Sequence, residues 1–176
     1  MGNNFSLESN QKLLSLISTF LEVENSSMET KLTEICALLK KKNKDYDWVG
    51  FYFSNHKTKT LHLKAFAGIR TDHTTIPFGK GICGQVAVSD KNFVVDDVSS
   101  KENYIACDIN VKSEIVVPIL VNQTNIGQID IDSNTINAFN QKDVLLLERV
   151  NNLVGNYILS NNISINITKN DFKTQN

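Results

Sequence analysis

The side chains able to do chemistry are concentrated between Gly79 and Ser133. Cys107 sits in Tyr104-Ile-Ala-Cys-Asp108, a polar, loop-like stretch rather than an apolar run, which points away from a packing role. Cys83 lies in Gly79-Lys-Gly-Ile-Cys-Gly84, Glu114 opens Glu-Ile-Val-Val-Pro118, and Asp130 and Asp132 alternate in Ile129-Asp-Ile-Asp-Ser133. Thiols and carboxylates gathered in one stretch of strands and short connections suit a thiol enzyme whose acids hold a polar substrate and move a proton. Side chains alternate along a strand, so Asp130 and Asp132 share one side while Ile129 and Ile131 take the other. Crowded carboxylates raise one another's pKa, so one of them can keep a proton for delivery. A solvated edge strand with outward acids is the bland alternative. For Cys83 that alternative is a small residue packed at a tight turn. Trp48 and Tyr52, four apart on a strand, share a face, and both an aromatic pocket wall and plain core packing stay open for them. Asp108 beside Cys107 is awkward, because a neighbouring negative charge disfavours the thiolate.

The rest of the chain sets bounds. Its 176 residues, 41% hydrophobic and 21% charged, suit one globular domain with a sizeable core. A formal net charge of −1 offers no bulk attraction to nucleic acid or an anionic membrane. No apolar run approaches the roughly 18 residues of a membrane span, and no secretory signal is visible. The three cysteines Cys36, Cys83 and Cys107 are odd in number and widely spaced, which argues against a disulfide framework or a paired-cysteine zinc site and for reduced thiols in the cytoplasm. Met1-Gly-Asn-Asn-Phe-Ser6 fits the N-myristoylation pattern, but a frayed start explains it as well.

Apolar spacing predicts helices over 5–22 and after Asn25-Ser26-Ser27, the second with a Ser26–Glu29 capping box. Cys36 falls on the apolar stripe of that helix and reads as a buried, inert thiol. Strands are expected at Trp48–Phe53, Leu61–Phe66, Phe93–Val95, Ile115–Val121 and Gln128–Asp132, with turn residues at Asn125-Ile-Gly. Pro118 requires an edge or a bulge. Residues 68–76 read as a loop, Ile82–Ser89 as a short helix, and Asn140 with Asp143 caps a last long helix. The order predicts an α+β domain over residues 1–160, an antiparallel sheet of about five or six strands with the N- and C-terminal helices packed on one face. Residues 161–176 read as a polar, mobile tail.

Trp48-x-Gly50-Phe51-Tyr52, Gly79-Lys-Gly-Ile-Cys83-Gly84, Val95-Asp-Asp-Val98, Ile105-Ala-Cys107-Asp108, Ser113-Glu114-Ile-Val-Val-Pro118 and Ile129-Asp130-Ile-Asp132-Ser133 together resemble the free methionine-R-sulfoxide reductases, a family of GAF-domain enzymes. The 24-position gap between Cys83 and Cys107 is also the family's. The resemblance spans about residues 30–155. It implies a GAF-like fold and reduction of free L-methionine (R)-S-oxide to L-methionine. A thiolate attacks the sulfoxide sulfur while the oxygen takes protons; the resulting sulfenic acid condenses with a second thiol into a disulfide, which thioredoxin reduces. It further implies Cys107 as nucleophile, Cys83 as resolving thiol, and Trp48, Tyr52, Glu114, Asp130 and Asp132 around the substrate, with no metal or organic cofactor. Free methionine sulfoxide and thioredoxin are the expected partners, nucleic acid and stable membrane association are not expected, and a homodimer is left open. One position departs from the pattern: many members carry another, often resolving, cysteine ten residues before the place of Cys83, and this chain has His73 there. The rival reading is a non-catalytic GAF sensor of a small ligand, with Cys83 and Cys107 as a redox switch.

Overall fold

The structure, a computed structural model, describes residues 2–100 and 110–163. The elements are α1 (Gly2–Leu21), α2 (Met28–Lys42), β1 (Trp48–Asn55), β2 (Thr60–Ala67), β3 (Thr75–Pro77), α3 (Gly81–Ser89), β4 (Phe93–Val95), a 3-10 turn (Val98–Ser100), β5 (Ser113–Val121), β6 (Thr124–Ser133) and α4 (Gln141–Ser160). Six strands form one antiparallel sheet in the order β3-β2-β1-β6-β5-β4.

The period-two alternation of β1, β5 and β6 makes this sheet a wall between two cores. Val49, Phe51, Phe53, Ile115, Val117, Ile119, Ile129 and Ile131 face α1, α2 and α4, where they meet helix stripes that include Ile17, Ile35, Cys36, Leu147 and Val150. The terminal helices therefore pack on one face, as the patterning predicted. On the other face Trp48, Tyr52 and Val116 meet Leu61, Leu63 and the Ile82, Cys83 and Val86 side of α3. Burial pushes the Cys36 thiol pKa far up, in keeping with an inert packing role.

Several local details differ from expectation, each for a physical reason. The N-cap of α2 is Ser27, whose Oγ accepts from the Thr30 N–H at 3.1 Å; with the helix starting at Met28, Ser26 is one residue too early to reach that donor. The stretch 68–76 is not wholly loop, because Thr75–Pro77 adds β3 to the exposed side of β2. The β5–β6 turn is Asn122-Gln123 rather than Asn125-Ile-Gly, with left-handed φ values of 49° and 64°, the two-residue hairpin turn whose twist matches the strands. Asn125 instead accepts the Gly127 N–H on its side-chain oxygen at 3.0 Å. Pro118 meets its requirement: β4 reaches only to Val116, so Pro118 borders an open edge where no N–H is needed.

A capping box starts α4 and a side-chain latch fixes it on the sheet. Asn140 and Asp143 form the expected capping box. Asn151, 2% exposed, donates to the carbonyls of Val117 and Pro118 at 2.8 and 3.1 Å, latching the helix to β5 where the proline interrupts the strand's donors. Among the described residues no helix is long and apolar enough to cross a membrane. The Asn151→Ala variant should lose about 1–3 kcal/mol of stability by leaving buried carbonyl groups unpaired. Urea unfolding would read this as a lower midpoint at unchanged slope; an unchanged midpoint would show the latch to be dispensable.

Candidate active site

Register assembles the site. On β6 the residues facing α3 are Gln128, Asp130 and Asp132. Asp132 is flanked across the sheet by Glu114 of β5 and Trp48 of β1, and Asp130 by Val116 and Gly50. All three acids are buried, with Glu114 4%, Asp130 1% and Asp132 1% exposed. The outward-acid alternative therefore fails. Glu114 reaches diagonally to hydrogen-bond Asp130. Cys83, in the first turn of α3, hydrogen-bonds the same Asp130 carboxylate. Its position depends on Gly84, where a Cβ would come within 2.6 Å of the Pro77 carbonyl oxygen, so only glycine lets the α3 start press onto the preceding turn. The Cys83 Sγ and one oxygen each of Glu114 and Asp130 all lie within 4.8 Å of one another.

Electrostatics follow from this burial. Desolvation raises the Glu114 pKa well above the usual carboxylate range, and the negative charges of Asp130 and Asp132 raise it further. Desolvation also raises Asp130, while hydrogen bonds from Cys83 and Glu114 partly offset the rise. Glu114 is accordingly the proton holder and Asp130 the acceptor of its hydrogen bond. The arrangement places a protonated carboxylic acid, a carboxylate and a thiol in contact, the components of proton delivery beside a sulfur nucleophile.

A cavity of about 440 Å³ reaches the third acid, Asp132, and is lined also by Trp48, Gly68, Ile69, Val111 and the outer residues Lys40, Asp47 and Asn134; Cys83, Glu114 and Asp130 do not line it. Trp48 thus forms a wall. Its indole N–H donates to the Ile69 carbonyl at 3.1 Å and its ring stacks on Phe66 with centroids 5.9 Å apart. The ring lies across Gly50, where a Cβ would fall 2.1 Å from an indole carbon. Tyr52 shares the face but is fully buried, and it does not line this cavity. Its hydroxyl donates to the His73 carbonyl at 2.9 Å, bracing the loop that carries His73. Cys107 and its neighbour Asp108 lie outside the described residues.

The sequence reading quoted Gly50 in a motif and Gln128 at the start of a strand but gave neither a place at the site. Gln128 is fully buried, and neither atom of its amide has a hydrogen-bond partner. The alternation that placed Asp130 and Asp132 on one face places Gln128 there too.

Comparison with known proteins agrees with this layout. The model of the GAF domain matches residues 25–158. A free methionine-R-sulfoxide reductase of Escherichia coli is 36% identical over 120 residues, covering 68% of this chain and 70% of that one. The chain belongs to the GAF-domain family of free methionine-R-sulfoxide reductases. Two solved members of this reductase family superpose on it. The enzyme of Neisseria meningitidis, in complex with its substrate, has a TM-score of 0.80 at 30% identity, covering 87% of this chain and 90% of that one. The Staphylococcus aureus enzyme, also in complex with substrate, has a TM-score of 0.75 at 33% identity, covering 85% of this chain and 95% of that one.

The geometry of this family member gives two expected outcomes. An acid with a raised native pKa keeps its proton in the folded chain over a range where the unfolded chain has lost it. Stability therefore falls as pH rises from about 4 through the native value. Asp130→Asn should raise the melting temperature by clearly more at pH 8 than at pH 5, and equal gains at both would refute a burial-raised acid. Gly50→Ala should expel the indole of the sole tryptophan. Its fluorescence emission would move to the red with a stability loss of about 1–3 kcal/mol, whereas an unmoved emission would show that the ring had room to spare.

Proposed function

We propose that the chain reduces free methionine (R)-sulfoxide to methionine, with Cys107 as nucleophile and Cys83 as resolving thiol. The observation that carries this reading is the buried Glu114–Asp130 proton pair in hydrogen-bond contact with Cys83, beside a cavity walled by Trp48 and Asp132. Val111, four positions after Cys107, lines the same cavity.

The chemistry runs in two balanced steps. The Cys107 thiolate attacks the sulfoxide sulfur while Glu114 gives its proton to the sulfoxide oxygen, and transfer of that oxygen to Cys107 leaves methionine and a sulfenic acid. Neutralising the developing oxyanion is work for an acid that holds its proton well above the usual carboxylate range, as burial arranges for Glu114. Cys83 then attacks the Cys107 sulfur, a disulfide forms, and the oxygen leaves as water. Asp130 takes the thiol proton of Cys83 as that bond forms and passes it to the departing oxygen, while Glu114 regains its proton from solvent. A thioredoxin-class dithiol reduces the disulfide by exchange. Asp132, at the cavity wall, receives the substrate ammonium. The Trp48 ring receives the methyl-sulfoxide end, where a sulfur–aromatic contact is worth about 0.3–1.5 kcal/mol. Enclosing a zwitterion against buried acids favours a free amino acid over a sulfoxide within a protein chain.

The test is turnover of free methionine (R)-sulfoxide with thioredoxin, its reductase and NADPH. Cys107→Ser should abolish it. Cys83→Ser should allow a single turnover but lose thioredoxin-driven cycling. Glu114→Gln should lower kcat by about 10²–10⁴. Saturable binding of the sulfoxide without any turnover would replace the enzyme reading with a ligand sensor, and full cycling in Cys83→Ser would remove Cys83 from the scheme.

A further inference from the structure

The contact among Cys83, Glu114 and Asp130 has a second chemical meaning. Three elements, the first turn of α3, the start of β5 and the middle of β6, bring one sulfur and two carboxylate oxygens within 4.8 Å of one another. All three residues are at least nine-tenths buried. Among the described residues no lysine, arginine or histidine makes an ion pair with either acid. Asp130, 1% exposed, keeps its Oδ1 without a hydrogen-bond partner, so buried lone-pair capacity remains unused on a carboxylate of the cluster. Buried anions without a cationic partner are costly, and a proton shared between two acids offsets only part of that cost.

We propose that Cys83, Glu114 and Asp130 form a three-ligand site for a thiophilic divalent cation of the zinc class, and that filling it switches the thiol chemistry off. The binding claim stands on this geometry; the switching claim rests on the reductase reading above. Zinc bonds thiolate sulfur at about 2.3 Å and carboxylate oxygen at about 2.0–2.2 Å in a tetrahedron. Those lengths put neighbouring donors about 3.3–3.6 Å apart, so the three side chains close on the ion by small rotations from backbone positions that register already fixes. Magnesium and calcium are disfavoured, since they take six or more oxygen ligands and no sulfur. Binding of M²⁺ releases the thiol proton of Cys83 and the proton shared by the two acids, and leaves a fourth position for water. Nothing is oxidised or reduced. The metal-bound Cys83 sulfur no longer attacks a sulfenic acid, and Glu114 no longer carries a proton to give.

The experiment is a Co²⁺ titration of the full-length, metal-stripped protein, kept reduced with a phosphine so that no added thiol competes. One equivalent should produce a thiolate-to-cobalt charge-transfer band in the near ultraviolet, and Zn²⁺ should displace it. The band should vanish in Cys83→Ser and persist in Cys36→Ser, the other buried thiol. Glu114→Gln and Asp130→Asn should each weaken binding at least about tenfold. Thermal melts confirm that every variant is folded, and a variant that fails to fold is replaced by Cys83→Ala or Glu114→Ala. One equivalent of Zn²⁺ should arrest sulfoxide turnover, and a chelator should restore it. No metal uptake, a band that survives Cys83→Ser, or affinity within threefold of the parent in both carboxyl variants would each overturn the site. A protein that binds metal as described yet never turns over the sulfoxide, even when metal-free, would sink the reductase reading and the switch while leaving the metal site standing.

Discussion

The register between β5 and β6 is the constraint on which the site depends. It is set at one end by the left-handed Asn122-Gln123 turn and along its length by Ile115, Val117, Ile129 and Ile131 packing against the helices. A slip of one residue would turn these apolar side chains into the cavity and the acids Glu114, Asp130 and Asp132 into the helical core. Each large apolar side chain on the helix face contributes about 1.5–3 kcal/mol by its burial. The packing of one face therefore holds carboxylates on the other face in a place they would not choose.

That displacement from solvent makes the acids useful. A carboxyl group in water loses its proton well below neutral pH and has none to give to a sulfoxide. Beneath α3, with Asp130 and Asp132 close by, Glu114 retains it. The roof is as important as the strands. Gly84 lets α3 press down, Gly50 gives the indole of Trp48 a flat bed, and the hydroxyl of Tyr52 ties the loop at His73 to the sheet. Removing any of these would admit water and return the acids toward ordinary behaviour.

Much of this was legible in the sequence, and the reason is periodicity. Alternation along one strand is enough to place Asp130 beside Asp132 and opposite the isoleucines, and a helical stripe is enough to bury Cys36. Capping chemistry is equally local, so Asn140 with Asp143 was visible, while the one-residue error at Ser27 reflects how closely adjacent serines compete for the same cap. What local pattern could not reveal was contact across register. The diagonal from Glu114 to Asp130, the reach of Cys83 to the same carboxylate and the indole over Gly50 each join segments far apart in the chain. β3 escaped notice because three residues carry too little alternation to read. The role of Cys107 came from family resemblance and not from patterning.

The same cluster ties proton chemistry to metal chemistry through one physical cause. Among the described residues no cation pairs with buried Glu114 or Asp130, and unoffset anions beside a thiol are the chemistry a thiophilic cation prefers. A lysine beside Asp130 would remove the metal affinity. It would also pull both carboxyl pKa values down and loosen the hold of Glu114 on its proton. A site that delivers protons from buried carboxyls next to a thiol therefore cannot be made metal-proof by the simplest electrostatic means. Its remaining protection is access, which puts weight on the α3 turn that carries Cys83 and on the burial of all three side chains. Stability pulls against the same features. Neutralising Asp130 would stabilise the fold at neutral pH and remove the carboxylate that Cys83 hydrogen-bonds, so packing and the contact with the thiol pull in opposite directions.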